Sequence, residues 1–296
     1  MAQHLLDAVV LGSIFTLFAL GLSLSWGVLN VLNLAHGAIF LMGGLTAYVI
    51  TDGNDLPLVV VLPAAMLVSG LLAVALEVVA YRPLRERVGD PHKAELPMMI
   101  ASVGAAFMFT AIGVEITGNM PVGVNPAVFE VSGFDVLGLR VTDLEILIVV
   151  VALVFGGGLA WFVARTRHGR ALRALAQDPY TCGLLGISPA RMAFITMFVS
   201  GAFAGTAGVL LALQQSAIEA HSWEPLLLKG FAVIVLGGVG SVYGTIAAAY
   251  LLAITEIVTV SYITPSLRDA VAFALILVLL LLRPQGLFAK TAWQRS

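Results

Sequence analysis

The amino-acid sequence predicts an all-α polytopic membrane protein. Of its 296 residues, 60% are hydrophobic and only 11% are charged, and the mean hydropathy is +1.02. Soluble domains carry about 25% charged residues, so a water-soluble fold does not account for this composition. A bilayer does, because it surrounds each helix with apolar solvent. We interpret residues 1–296 as a single transmembrane domain.

Windows of about 20 residues, the length that crosses the hydrocarbon core, locate the apolar segments. They lie near residues 5–26, 28–50, 57–80, 97–117, 144–165, 190–213, 226–238, 242–260 and 267–282. The last three are shorter and are interrupted by glycine and proline, so some of them are predicted to be half-helices or re-entrant. We expect about eight to ten crossings.

Basic residues concentrate in three regions, at 82–93, at 165–191 and in the tail from Arg283. Cytoplasmic loops carry such an excess of Lys and Arg. All three regions are therefore predicted to face the cytoplasm, with the amino terminus outside and the carboxyl terminus inside. The first basic residue is Arg82, so the amino-terminal run lacks the positive region of a secretory signal and is expected to remain as a span.

The basic segment RTRHGRALRALAQDPYTCGLLGISPAR at 165–191 carries two helix-start signals. Asp178 before Pro179 is a typical N-cap followed by proline at the first helical position. Gly186 can adopt the left-handed conformation that ends a helix. Ser188 and Pro189 repeat the start signal. We expect a short helix across the mouths of two spans that acts as a docking surface. The alternative is an ordinary cytoplasmic loop, which would also be basic.

The loop at 118–143 mixes glycine and proline with alternating stretches at 128–131 and 136–141. This pattern predicts a small hairpin flap at the outer surface. Such a flap either contacts an extracytoplasmic partner or covers the helix ends.

Two apolar stretches resemble each other when Gly43-Gly44 is superposed on Gly237-Gly238, at an offset of 194 residues. The stretches at 37–48 and 231–242 fall in segments of opposite direction, which predicts inverted repeats over 5–117 and 192–282. Glycine-interrupted segments of this kind indicate a substrate path, so these four glycines are candidate path residues. The alternative is that they only allow close helix packing.

Three polar residues, Asn30, Asn33 and His36, precede the first glycine pair. Unpaired polar groups are costly in hydrocarbon, and the helical spacing of these residues would place them on one face of a turn. They are further candidates for the path. They could instead hold an unwound helix end or mark an interfacial turn.

Acidic residues in the apolar segments lie near the predicted span ends, at Glu77, Glu115 and Glu256. Coupled carriers usually place an acid near the midplane, so the driving force is expected to come from elsewhere. Lys229 is expected to pair with Glu224 at the outer surface or to snorkel there. The chain has no phosphate loop, one cysteine (Cys182) and no metal-binding pattern. We therefore expect no catalytic residue, no metal and no ATP hydrolysis by this chain.

Four strings in order, NLAHGAIFLMGG, RTRHGRALRALAQDPYTCGLLGI, KGFAVIVLGGVGSVYGT and LLRPQGLF, resemble the permease subunits of branched-chain amino acid ABC importers of the LivH type. The resemblance implies a bacterial inner-membrane permease with the inverted-repeat fold of type II ABC importers and a broken second helix. It implies a second homologous permease, two cytoplasmic ATPase subunits that use ATP and Mg, and a periplasmic binding protein that delivers leucine, isoleucine or valine. No cofactor is expected on this chain.

The same resemblance assigns the 170–187 segment as the helix that docks on an ATPase subunit. The residues expected to couple the two subunits are Arg170, Arg173, Asp178, Leu184, Gly186 and Ile187. The arginines would meet acidic residues of the ATPase, and Leu172, Leu175, Leu184 and Leu185 would fill its apolar groove. Alternatives are a stand-alone secondary carrier or channel for a small solute such as urea or an amide, and a scaffold that transports nothing.

Overall fold

The computed structural model describes residues 1–89, 91–136 and 138–282, so the predicted basic tail from Arg283 lies outside the described residues. Apart from one hairpin and an isolated bridge between Val122 and Ile218, the regular secondary structure of the described part is helical. Its helices are α1 (Ala2–Leu29), α2 (His36–Thr51), α3 (Leu58–Leu76), α4 (Arg82–Val88), α5 (Pro91–Thr117), α6 (Asp143–Arg165), α7 (Arg167–Leu175), α8 (Pro179–Leu184), α9 (Pro189–Gln215), α10 (Trp223–Gly237), α11 (Val242–Tyr262) and α12 (Arg268–Leu282). A π-helical turn, Glu77–Tyr81, joins α3 to α4.

Six helices of the described chain are long and apolar enough to cross a membrane. They are Ala2–Leu29, Leu58–Val88, Lys93–Thr117, Asp143–Arg165, Pro189–Gln215 and Val242–Tyr262. The helices α2, α10 and α12 have only 15 or 16 residues, about 24 Å at 1.5 Å per residue. The predicted eight to ten crossings are reached only if these shorter helices are counted too.

Helix α1 forms the centre of the bundle. Every residue from Gly12 to Ser25 is buried, as expected for a helix that is hydrophobic on all sides. It packs mainly against α11, α9 and α6. Its amino-terminal end lies by the hairpin, where Gln3 Nε2 donates to the carbonyl of Arg140 at 3.1 Å. We call this the hairpin end of the bundle, and the end that carries residues 165–189 the basic end.

The chain is broken between α1 and α2. Asn30 ends α1 in the left-handed conformation (φ 52°), and residues 30–35 are not helical. His36 Nε2 lies 3.0 Å from the carbonyl oxygen of Phe18, near the middle of α1. Helix α2 therefore begins at mid-bundle and runs toward the hairpin end, where Thr51 O accepts from Asn125. The predicted broken helix is present, but the predicted continuous segment 28–50 is wrong at its start.

A second half-helix, α10, begins beside the first. A Cβ added to Gly37 would lie 2.5 Å from Cε3 of Trp223, so the first residues of α2 and α10 are in contact. A Cβ on Gly27 would lie 2.7 Å from Cα of Gly240, beyond the other end of α10. Helix α10 therefore runs from mid-bundle to the basic end, opposite to α2.

The helix boundaries correct the alignment of the two glycine pairs. Helices α1 and α9 begin at residues 2 and 189, and α2 and α10 at 36 and 223, so both pairs are separated by 187 residues. The offset of 194 is wrong for these helices. Gly43-Gly44 lies inside α2, whereas Gly237 is the last residue of α10 and Gly238 follows it. The domain-level repeats over 5–117 and 192–282 stay a prediction.

The predicted flap is confirmed over part of its length. Strands β1 (Gly133–Val136) and β2 (Leu139–Thr142) pair antiparallel, with Phe134 opposite Val141. The stretch 128–131 is not a strand, because residues Pro126–Val128 form a 3₁₀ turn capped by the side chain of Asn125.

Candidate transport and docking sites

The basic end carries the short capped helix that the sequence predicts. The carboxylate of Asp178 accepts from the backbone N–H groups of Tyr180 (2.9 Å) and Thr181 (3.1 Å). Proline occupies the first turn of α8, and Gly186 has φ +82°. Ser188 accepts from the N–H of Arg191 and begins α9. Each cap is local in sequence, which is why the motif alone predicts it.

The Asp178 carboxylate also accepts from the hydroxyl group of Thr181. These hydrogen bonds, first from the Thr181 side chain and then from the backbone, lower the pKa of Asp178 below its usual value. Asp178 is therefore ionised at neutral pH. Its negative charge lies at the amino-terminal end of α8, where it complements the helix dipole.

Helix α8 presents an apolar surface to its surroundings. The side chains of Tyr180, Leu184 and Leu185 are 77%, 72% and 75% exposed. The opposite face is anchored by Cys182, which is buried in the core cluster. The helix end is closed locally, because the N–H of Ile187 donates to the carbonyl of Cys182 at 3.0 Å. Helix α8 thus has one face that packs on the bundle and one face that no other part of the described chain covers.

Two leucines expected in that surface do not contribute to it. Leu172 and Leu175 of α7 are 2% and 3% exposed and belong to the core of this chain. That part of the prediction is wrong, because α7 is itself amphipathic and lies against α6, α9 and α1. Arg170 and Arg173 lie on the exposed side of α7, and their contact with an ATPase stays a prediction.

The polar residues before α2 hold the unwound segment in place. Asn33 Oδ1 accepts from the N–H of Ala35 and from the hydroxyl of Tyr81, each at 3.1 Å. Ser102 Oγ accepts from the N–H of Leu34 at 3.1 Å. Ser102 of α5 and the Asn33 side chain therefore satisfy two backbone N–H groups that the break leaves without a helical partner. Tyr81 of the π-helical turn holds the Asn33 side chain in place.

His36 belongs to the same arrangement. It is fully buried, with Nε2 3.0 Å from Phe18 O and Nδ1 3.4 Å from Ser200 Oγ. Asn30 is exposed at the end of α1, so the expectation that it shares one face of a turn with Asn33 and His36 is wrong. Of the predicted roles, the unwound helix end describes Asn33 and His36, and their place in a substrate path stays a prediction.

The glycine pairs lie at close contacts between helices. A Cβ on Gly43 would be 2.4 Å from Cα of Gly205, and one on Gly44 would be 2.2 Å from Cδ1 of Ile218. A Cβ on Gly237 would lie 2.5 Å from the backbone of Gly244, and Gly238 has φ +93°. Packing accounts for Gly43, Gly44 and Gly237, and the positive φ accounts for glycine at 238. Their contribution to a substrate path stays a prediction.

The structure contains a buried charge cluster that sequence reasoning missed. Lys229 is 7% exposed, and its Nζ lies 2.9 Å from Glu256 Oε1 and 2.8 Å from Asp269 Oδ1. Arg268 pairs with the other oxygen of Glu256. The predicted pairing of Lys229 with Glu224 is wrong, because Glu224 is exposed and contacts His221. The clue in the sequence is the adjacent Arg268 and Asp269 at the start of α12.

The second buried acid is also paired. Glu77, 2% exposed in the π-helical turn, forms an ion pair with Arg85. Glu77 and Glu256 thus each have a cationic partner, as buried charges in a membrane protein require. Glu115 is exposed.

This fold is that of a multi-pass helical membrane transport protein. Half-helices that begin at mid-bundle and run to opposite ends, with unwound backbone before each, are typical of permeases.

The family model described as "Branched-chain amino acid transport system / permease component" matches residues 4–280, and the chain belongs to this family. It is 29% identical to the high-affinity branched-chain amino acid transport system permease protein BraD of Pseudomonas aeruginosa, over 97% of this chain and 95% of that protein. It is 28% identical to LivH of Escherichia coli, a permease of the same description, with the same coverage. It is also 28% identical to LivM of Escherichia coli, over 98% of this chain and 71% of that longer protein.

Proposed function

We propose that this chain is one of two membrane-spanning subunits of an ATP-driven importer for branched-chain amino acids in a bacterial inner membrane. A periplasmic binding protein would deliver the solute, and two cytoplasmic ATPase subunits would hydrolyse ATP with Mg. The observation that carries the proposal is α8, a capped helix with an uncovered apolar face at the basic end of the bundle.

The orientation follows from the distribution of charge. Arg165, Arg167, Arg170, Arg173 and Arg191 all lie at the end that carries α8. Because cytoplasmic loops are enriched in Lys and Arg, the basic end faces the cytoplasm, and the hairpin faces the periplasm. The cytoplasmic location of the tail from Arg283 stays a prediction, because these residues lie outside the described part of the chain.

The partner permease is expected to be homologous. LivM is named as a permease of the same type of transport system as LivH, and this chain resembles both. We expect the substrate path to pass between the two permeases, near the mid-bundle starts of α2 and α10. Its walls would be apolar and would hold an aliphatic side chain weakly, since a transporter must release what it receives.

The force for transport would enter through α8. Closure of the ATPases would push α8, and because Cys182 is buried in the core, the movement would pass to α7 and to the long helices α6 and α9.

The stand-alone carrier is less well supported, since both buried acids that it would need for coupling are held in ion pairs. The scaffold alternative does not account for the uncovered face of α8.

A crosslinking experiment tests the proposal. With Cys182 replaced by alanine, a cysteine at the exposed Leu184 is expected to capture an ATPase subunit in native membranes. The control is a cysteine at Val131, 55% exposed at the hairpin end. Failure of Leu184→Cys to capture a nucleotide-hydrolysing protein, or leucine uptake without ATP by vesicles that contain only this chain, would contradict the proposal.

A further inference from the structure

A cavity of about 270 Å³ opens at the basic end of the bundle. It lies between α1, α6 and α7 and is closed on one side by the turn between α10 and α11. The walls are largely apolar, with Leu24, Leu159 and Val163 among them, and Arg173 and Gln177 supply polar groups from the α7 side. None of the predicted path residues lines it.

Arg173 is the charged residue of this lining. Arg173 is an exposed residue of α7, and within the described chain its guanidinium forms no ion pair and no hydrogen bond. Arginine presents a planar set of donors that matches a carboxylate. The cavity thus combines an apolar volume with one unmatched cationic group, and the lining contains no acidic residue.

We propose that this cavity binds a short aliphatic monocarboxylate that has no amino group. The carboxylate would pair with Arg173 and accept from Gln177, and the aliphatic chain would contact the apolar walls. A cavity of about 150 Å³ holds a benzene molecule, so this one has room for a branched acid of about six carbons. A free amino acid fits less well, because its ammonium group would have no acidic partner in the cavity.

Because of where the cavity lies, a bound ligand would restrict the movement of α7 and α8. Helix α7 forms one wall and leads directly into Asp178 and α8, whereas the other walls belong to α1, α6 and the turn between α10 and α11. A ligand between them fixes α7 against α1 and α6. In the importer proposed above, on which this consequence rests, such a ligand restrains α8 and slows uptake. A branched 2-oxo acid has the required chemistry, since it carries a carboxylate and an aliphatic chain and has no amino group.

The site is tested by direct binding to the full-length protein in phosphatidylcholine nanodiscs. We expect radiolabelled 4-methyl-2-oxopentanoate to bind and to protect the amides of residues 167–178 from hydrogen exchange. Leucine should compete on the order of tenfold more weakly, and 3-methylbutylamine should not compete. Equal or tighter binding of leucine or of the amine would overturn the proposal. Because no ATPase is present, this result is independent of the proposed function.

Variants separate the site from general folding effects. Arg173→Gln should weaken binding on the order of tenfold and Arg173→Lys less, and Val163→Trp should fill the cavity and abolish binding. Arg167→Gln, on the same helix but outside the lining, is the control and should bind as the wild type does. All variants should unfold at the wild-type temperature without ligand. Wild-type binding by Arg173→Gln would overturn the proposal, and so would unchanged binding by Val163→Trp.

Discussion

Nζ of Lys229 on α10 lies 2.9 Å from Oε1 of Glu256 on α11, and both side chains are buried in the bundle. Asp269 and Arg268 at the start of α12 extend this pair to the surface, where they are 56% and 39% exposed. The cluster therefore connects the half-helix α10 to the last two helices. A charge left alone in this place would be poorly solvated.

Glu256→Gln is expected to destabilise the protein by about 1.5 to 3 kcal/mol, because it removes one of the two charged partners of the buried Lys229 and leaves only Asp269. The measurement is the thermal unfolding midpoint of the purified protein in detergent. Glu224→Gln is the matched control and should have little effect, since Glu224 is exposed and its carboxylate pairs with the exposed His221. The double variant Lys229→Met/Glu256→Met should recover most of the loss. An unfolding midpoint unchanged by Glu256→Gln would show that the cluster does not stabilise the fold.

Gly208→Ala is expected to cost about 1 to 3 kcal/mol by overpacking. Its Cβ would lie 2.2 Å from Phe40 O and 3.0 Å from the backbone N of Gly44, so α2 and α9 would have to separate. Gly157→Ala on α6 is the control, because nothing lies within 4 Å of its added Cβ. The control should be neutral or slightly stabilising, since it reduces the entropy of the unfolded chain. The same denaturation assay compares the two, and equal effects would contradict the close-packing role.

Tyr81→Phe removes the hydroxyl that donates to Asn33 Oδ1 in the unwound segment. The expected loss is about 1 kcal/mol, the net value of a buried hydrogen bond. Tyr243→Phe controls for loss of a hydroxyl, because Tyr243 is 71% exposed. Urea or thermal denaturation of both variants measures the difference. If Tyr81→Phe were as stable as Tyr243→Phe, the unwound segment would not depend on this contact.

Asp178→Arg and Gly186→Pro are expected to uncouple ATP hydrolysis from uptake while the permease remains in the membrane. The first places a positive charge at the start of α8, and the second is incompatible with φ +82°. The number of amino acids imported per ATP hydrolysed should fall several-fold, because the loss of a cap of about 1 kcal/mol lowers the population of folded α8 on the order of fivefold. Normal coupling in both variants would count against a docking role for α8.

Asp178→Asn is the conservative control for these variants, because asparagine also caps helices but carries no charge. It should retain most of the coupling. Since the pKa of Asp178 is lowered in the folded protein, the contribution of the ionised cap is present at neutral pH. It is lost only as the pH falls through the lowered pKa. Coupling measured against pH should therefore be flat above the usual pKa of an aspartate.

Features that depend on a few adjacent residues were predictable. The caps at Asp178, Gly186 and Ser188 involve residues two to three positions away, so the sequence motif is enough to predict the geometry of the cap. Leu172 and Leu175 show where this reasoning stops. Their membership of the basic segment suggested exposure, but the amphipathic helix α7 turns them toward the core.

Features that depend on distant residues were not predictable. Asn33 and His36 have helical spacing in sequence, and only contacts with Tyr81, Ser102 and Phe18 reveal that the chain between them is unwound. Lys229 meets Glu256 and Asp269 because α10, α11 and α12 pack together. No local pattern distinguishes this arrangement from snorkelling.

The sequence by itself determined the class of protein and the residues at which α8 begins and ends. Its apolar content requires a bilayer, its basic residues define one end of the bundle, and its capping residues delimit α8, because composition and nearest neighbours decide these properties. Only the tertiary structure decided that α2 and α10 begin side by side at mid-bundle, that Lys229 is buried, and that an apolar cavity opens beside Arg173. Each of these features depends on which helices pack together. The apolar segments of this chain have such similar hydropathy that it does not predict which helices become neighbours.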